Sequence, residues 1–181
     1  MINRRGFIAS LARPGGNVTG LAFLATEMTI KNLELLKEVA PRTARVALLV
    51  NSSFPGFAPF VADLQRAGAA LGIRVIQVDV LTPDDFERAF ATIVRERADG
   101  ILVSPNQLLL SQRHRIAAFA VKHRLPSAYA TARFMDAGGL MAMSPRLADF
   151  PPRLARYVDK ILKGAKPADL PVEQPSNFEL V

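Results

Sequence analysis

The sequence holds no cysteine and no tryptophan, and only two tyrosines among its 181 residues. Without thiols there is neither a disulfide framework nor a thiolate metal site, and redox chemistry gives no reading of compartment. The scarcity of Trp and Tyr, with no basic-aromatic interleaving, removes the basis for a single-strand stacking platform. No run of about 18 apolar residues suggests a membrane span. Catalytic signatures are missing too. No Gly-Lys-Ser/Thr phosphate loop occurs, and Gly15, Gly16 and Gly20 neither follow a strand nor open a helix as a dinucleotide fingerprint must. Ser104, Ser111 and Ser144 lack a Gly-x-Ser-x-Gly elbow. His114 and His123 stand nine residues apart on one predicted helix, hence on roughly opposite faces, which argues against shared metal ligation. His123 reads instead as a cation at a helix C-terminus. No metal and no cofactor is expected.

What the chain does have is globular composition, half apolar and 22% charged, on a length that suits one domain or one large lobe. Lys and Arg outnumber Asp and Glu by 23 to 16, a net +7. The cations are dispersed (Arg42 and Arg45, Arg95 and Arg97, Arg113 and Arg115, Lys160 to Lys166), mostly on polar helix faces and helix ends. That is the pattern of a solvated surface, and no nucleic-acid partner is expected. The opening MINRRGFI resembles the start of a twin-arginine export signal. No apolar stretch of about 7–15 residues and no small-residue cleavage site follows before Arg13. A signal remnant joined to a later segment and a shifted start with a coincidental arginine pair both fit.

From Arg45 onward, apolar runs of strand length alternate with amphipathic stretches of helix length, which predicts an α/β fold. The expected architecture is a Rossmann-like open parallel sheet of about five to six strands with helices on both faces. Strands are predicted at 46–50, 75–80, 100–103, 127–130 and 140–143, with one more at 17–23 and a short terminal one at 177–181. Thr26 and Thr82 read as helix N-caps, the second leading into Pro83, Asp84 and Asp85, where a missing N–H and negative charge are both favoured. Phe86, Phe90, Ile93 and Val94 form a core stripe; Phe57, Phe60, Val61, Leu64 and Leu71 form another, ended by Gly72. A last helix carries Leu147, Leu154, Tyr157, Val158, Ile161 and Leu162, starting near Pro151 with Asp149 or Phe150 as cap. The expected organisation is 1–16 as lead-in, 17–144 as the α/β lobe, and 145–181 as a return helix with an extended tail.

In such a sheet, ligands sit beyond the carboxyl ends of the strands. The loops there can be named: Asn51, Ser52, Ser53 and Phe54 after the first core strand, Ser104 and Asn106 after the third, Tyr129, Thr131 and Arg133 after the fourth. Asn and Ser supply donors and acceptors, Tyr129 or Phe54 a stacking surface, and Arg133 a fork for a carboxylate. Taken singly, Asn51 and Ser52 read equally well as turn formers and Arg133 as a surface charge.

The segment ARPGGNVTG at 12–20, followed by a helix and RVALLVNSS at 45–53, resembles the crossover and second-lobe start of ABC transporter substrate-binding proteins. So do PDDF at 83–86, RADGILV at 97–103, KHRLP at 122–126, AGGL at 137–140 and YVDKILKGAKPADLPVEQP at 157–175, in order and spacing. The resemblance implies one lobe of the type I periplasmic-binding-protein fold, in which two lobes joined by hinge strands trap a solute and deliver it to a membrane permease. Some members of the family bind aromatic amino acids. It further implies that Asn51 to Ser53, Asn106 and Tyr129 to Thr131 line one cleft wall, and that the protein works in the periplasm. The family pattern also has a signal peptide and a first lobe ahead of this region, so the chain as written is expected to remain cytoplasmic. Its last helix, lacking that lobe, is expected to pair with a second copy through Leu154, Tyr157, Val158, Ile161 and Leu162 or to fold back on its own lobe. A solute-binding component without chemistry is thus the leading expectation. A ligand-sensing regulatory module of the same fold is second, and a small flavodoxin-like enzyme third.

Overall fold

The computed structural model describes residues 8–54 and 56–181, so the opening arginine pair lies outside the described residues. The described chain divides into two compact units, one of residues 25–144 with 179–181, the other running up to Leu24 and over 145–178.

In the larger unit the elements run α1 (Ala25–Val39), β1 (Arg45–Val50), α2 (Phe57–Ala70), β2 (Arg74–Asp79), α3 (Phe86–Arg95), β3 (Gly100–Val103), α4 (Gln107–Ser111), α5 (Arg113–Lys122), β4 (Ser127–Tyr129) and β5 (Met141–Pro145), with a terminal β6 (Phe178–Leu180). The sheet has six strands in the order β2-β1-β3-β4-β5-β6. β1 to β5 are parallel, with Val46 opposite both Val75 and Gly100, Ile101 opposite Ser127, and Ala128 opposite Met141. Ala142 and Val181 exchange both backbone bonds, at 2.8 and 3.0 Å, the reciprocal pattern of an antiparallel pair. The expected open α/β sheet is therefore what the chain forms.

The pleat of β1 shows how the sequence builds two layers. Val46, Leu48 and Val50 point to the side covered by α1 and α2, where they meet Leu33, Leu36, Phe60 and Leu64. Ala47 and Leu49 point to the other side, among Phe86, Phe90, Ile93 and Ile116 of α3 and α5. A strand buried on both faces has no polar position to alternate with, which is why RVALLV reads as continuous hydrophobicity. The edge strand β2 instead breaks its apolar run with exposed Arg74 and Gln77 among buried Val75, Ile76 and Val78. Helix α2 lies close against the strand that follows it. A Cβ on Gly68 would stand 2.6 Å from Val75 Cγ2 and 2.8 Å from the Ile73 carbonyl oxygen.

One buried polar residue fastens α1 to the sheet. Asn32, fully buried, donates from Nδ2 to the carbonyls of Met28 (2.9 Å) and Met143 (2.8 Å), and its Oδ1 accepts from Met143 N at 2.9 Å. The paired register of β4 and β5 ends at Ala142, so the side-chain amide serves Met143 where the strand neighbour stops.

Helix boundaries follow local chemistry with two departures. Thr82 caps the turn Pro83–Asp85 in a reciprocal capping box with Asp85, and α3 continues from it. Thr26, expected as a cap, lies inside α1, which begins one residue earlier at Ala25. Val94, expected in the core stripe of α3, is 51% exposed while Phe86, Phe90 and Ile93 are buried.

In the smaller unit, α6 (Phe150–Leu162) begins with Asp149 as cap and prolines in its first turn, as the sequence suggested. Its buried residue is Tyr157, whose hydroxyl donates to the Pro171 carbonyl. Arg153 grips one oxygen of Glu173 through Nε (2.9 Å) and a terminal nitrogen (2.6 Å). The strand expected at 17–23 is not formed; Leu21 makes a single parallel bridge to Glu173, with Ala22 N donating to Glu173 O and Glu173 N to Gly20 O. Pro171 and Pro175 flank Glu173 and have no N–H, so a longer ladder lacks its donors. No helix among the described residues is long and apolar enough to cross a membrane.

Candidate functional site

Because β1 lies between β2 and β3, the chain leaves β1 in one direction along the sheet for β2 and leaves β3 in the other for β4. The carboxyl ends of β1 and β3 therefore flank the topological switch point, where loops diverge and leave a crevice. β4 is the next strand along, so the loops after β1, β3 and β4 stand side by side across about 10 Å. All nine predicted site residues fall on these three loops or at the strand end that launches them.

After β1, the polar side chains fold the loop on itself. Asn51 is 6% exposed; its Nδ2 donates to the Val80 carbonyl at 2.9 Å and its Oδ1 accepts from the Ser53 backbone N–H at 3.0 Å and from the Ser53 hydroxyl. Ser52 gives its N–H to Asp79 at 2.9 Å and its hydroxyl to the second Asp79 oxygen. Phe54 is half-buried, packed edge-on against Phe57 and Phe60 at centroid distances of 5.9 and 5.6 Å. Asn51 and Ser52 are thus turn builders in this geometry, and Ser53 and Phe54 are the parts of the loop that reach solvent.

After β3, Ser104 is 5% exposed, with its N–H donated to the Leu49 carbonyl at 3.0 Å. Asn106 Oδ1 caps α4, accepting from Leu108 N at 2.8 Å and Leu109 N at 3.4 Å. That arrangement fixes the amide and leaves Asn106 Nδ2 as a donor without a partner among the described residues.

After β4, Thr131 caps the turn Ala132–Ala137 and Arg133 stands exposed, with no carboxylate partner among the described residues. Tyr129 sits differently from a stacking platform. It is fully buried, its ring stacks on Phe134 at 4.2 Å and 16°, and its hydroxyl has no partner among the described residues. Burial pushes the phenol's pKa up. Gly139 makes room for this ring; a Cβ there would come within 2.7 Å of Tyr129 Cε2. Tyr129 therefore shapes the loop from beneath and offers no open face.

Asp79 is the residue that sequence reading missed. It ends an apolar strand and was absorbed into it, yet it is the acceptor that orders the Ser52 turn. A carboxylate at the C-terminal end of a hydrophobic strand was the available signal. Chemically, the edge combines one free guanidinium, amide and hydroxyl groups, and an aromatic at the rim, which suits a small polar solute with a carboxylate. Among the described residues no group of three or more His, Asp or Glu is placed to hold a metal ion.

A family model described as ABC transporter substrate binding protein matches residues 4–181. A tyrosine-binding protein of Clostridioides difficile is 22% identical over 177 residues, covering 97% of this chain and 50% of the relative. An ABC domain in complex with L-Trp from Streptococcus pneumonia superposes with a TM-score of 0.81 at 23% identity, over 96% of this chain and 59% of that one. A conserved domain protein from Vibrio cholerae does so with a TM-score of 0.85 at 23% identity, over 96% and 58%. The chain thus spans about half the length of the curated relative it matches, and the structural likenesses establish the fold.

Proposed function

The chain belongs to the ABC transporter substrate binding protein family, and on that premise we propose that it binds a small solute, without chemical conversion, as one wall of a two-lobed uptake receptor. The observation that carries this reading is the convergence of three loops at the β1/β3 switch point, where the Arg133 guanidinium and Asn106 Nδ2 have no partner among the described residues. The solute class is an amino acid with an aromatic side chain. Arg133 takes its carboxylate, Asn106 Nδ2 and the Ser53 and Thr131 hydroxyls make the remaining polar contacts, Asn51, Ser52 and Ser104 fix the loops that present them, and Phe54 borders the ring. Tyr129 supports the loop. The tyrosine-binding relative and the tryptophan complex of a structural neighbour favour this class.

Residues 17–144 act in this reading as the solute-binding lobe and 145–181 as a return helix and tail. The receptor works in the periplasm and hands its solute to an ABC permease. The exposed apolar side chains of α6 (Leu154 43%, Val158 56%, Ile161 38%, Leu162 82%) pair with an apolar face, and for this chain alone a second copy supplies it.

The test uses the missing tryptophan. Since the chain has none, emission excited beyond the tyrosine band comes from added L-tryptophan alone. Binding should raise its anisotropy, and Arg133→Ala should weaken it by about ten- to a hundred-fold, the worth of a charge-assisted hydrogen bond. Equal binding by the variant would remove Arg133 from the site, and no response to any amino acid would overturn the proposal.

A further inference from the structure

A groove of the larger unit lies away from the switch point, between α3 and α5 on one face of the sheet. It has a volume of about 650 Å³ and is broadly open to solvent. Its floor is an aromatic stack: Phe90 and Phe119 lie face to face at 4.1 Å and 5°, and His123 continues the stack at 4.4 Å from Phe119. Arg115 spans the far end, its guanidinium 5.2 Å from the Phe86 ring and 5.8 Å from Phe90, tied to Glu87. Ala91, Val94 and Ala118 supply exposed apolar walls.

The unpaired charge of the rim is positive. Glu87 is the groove's one carboxylate and is taken by Arg115. Arg95 and Lys122 are exposed and have no carboxylate partner among the described residues. The stretch 113–124 that forms one wall holds four cations (Arg113, Arg115, Lys122 and Arg124) and no acidic residue. Elsewhere the cations often stand beside carboxylates, as Lys31 beside Glu34, Arg66 beside Asp63 and Lys163 beside Asp159. The apolar groove is thus bordered by two cations, Arg95 and Lys122, that no carboxylate offsets among the described residues.

We propose that the α3/α5 groove is a docking site for an acidic segment of a partner protein that inserts an apolar or aromatic side chain between Phe119 and Val94 and sets carboxylates against Arg95 and Lys122. Magnitudes choose this occupant. A nucleic acid gains affinity through many neutralised phosphates, roughly one power of salt dependence for each, and two unpaired cations are too few. A small molecule would need about 70–90% of its surface buried, which an open trough does not provide. A segment with one anchor and flanking charge matches a groove with an apolar floor and a cationic rim, and the contact is of the small, transient class. This surface is separate from the solute-binding edge, so the proposal stands or falls independently of the solute.

The experiment uses a fluorescein-labelled peptide in which Glu alternates with Leu and Phe, with a second peptide carrying Lys at the Glu positions as control. Amide NMR of the full chain locates the contact. The acidic peptide should shift amides of α3 and α5, bind less tightly as salt rises from about 0.05 to about 0.5 M, and lose at least about ten-fold in affinity in the double variant Arg95→Glu with Lys122→Glu. Ala118→Gln fills the groove without altering charge and should weaken binding as well; Ala118 is exposed, so the variant keeps its fold. Equal binding of the Lys peptide, shifts confined to other surfaces, indifference to both variants, or no binding would each overturn the proposal.

Discussion

Replacing Asn32 tests whether a single buried amide holds α1 on the sheet. In the native chain its side chain satisfies both the N–H and the C=O of Met143, at 2.9 and 2.8 Å, at the point where β4 no longer reaches β5. Asn32→Leu keeps the volume and removes both partners. Each backbone group left without a bond in a poorly hydrated setting costs about 1–3 kcal/mol, and burial of the added apolar surface returns about 1 kcal/mol. Met143 is half-buried, so water relieves part of the penalty. The expected net loss is about 2–4 kcal/mol, read in urea as a fall of about 1–2 M in the unfolding midpoint with an unchanged slope. Asn32→Asp gives a sharper reading. Its carboxylate keeps the acceptor for Met143 N but faces the carbonyls of Met28 and Met143 with no proton to give. Burial and those carbonyls raise the folded-state pKa of the new carboxyl, so its protonated form suits the fold and its charged form does not. The variant's stability relative to wild type should therefore rise as pH falls toward the unfolded carboxyl's pKa, because the protonated acid again donates. A midpoint within about 0.3 M of wild type for Asn32→Leu, or an Asn32→Asp deficit that does not change with pH, would refute the reasoning.

Gly68→Ala should destabilise by about 1–3 kcal/mol despite alanine's better helix propensity, because the new Cβ meets Val75 and the Ile73 carbonyl at under 3 Å; thermal unfolding measures it. Tyr157 gives an alkaline limit. Burial and the neighbouring Glu173 carboxylate push its phenol up to about 12, so its contribution is complete below the unfolded value near 10 and is lost as pH climbs toward 12. Phenolate absorbance at pH 11 should accordingly fall short of that for two free tyrosines until urea is added. On the acid side, burial of Glu173 is outweighed by the hydrogen bonds and charge of Arg153, which hold the carboxyl below its ordinary value. Its contribution is present above the unfolded pKa and is lost as pH falls through the folded one, and Arg153→Met should flatten that acid dependence. Asp79→Ala should leave the fold intact, speed amide exchange at Ser52 and Ser53, and weaken solute binding several-fold, since Asp79 accepts the Ser52 N–H and hydroxyl that set the turn.

The sheet was legible because burial on both faces makes β1 and β3 continuous apolar runs, and because Pro83 with Asp84 and Asp85 marks the helix entry that follows β2. The strand expected at 17–23 was not, since apolar residues in an extended segment say nothing about whether a neighbour has donors to offer; here Pro171 and Pro175 withhold them. The site's location followed from the fold, but the division of labour within it did not. Asn51, Ser52 and Tyr129 carry the residue types of a binding surface, while their geometry ties two of them into a turn and buries the third beneath it. Asp79 and Asn32 escaped notice for the converse reason: a lone polar residue in an apolar stretch reveals its partner only when the chain is folded. The α3/α5 groove was hidden in the same way, because Phe90 and Phe119 meet across 29 residues of sequence and only their stacking turns two core stripes into one trough.

The most direct test of the solute site is an amide NMR titration of the chain with L-tryptophan and L-tyrosine, which registers even millimolar affinity. Perturbations gathered on residues 51–54, 104–106 and 131–133, reduced in Arg133→Ala, are what a solute wall at the β1/β3 switch point requires. A titration that leaves those three loops unmoved, or that moves only α3 and α5, would contradict it.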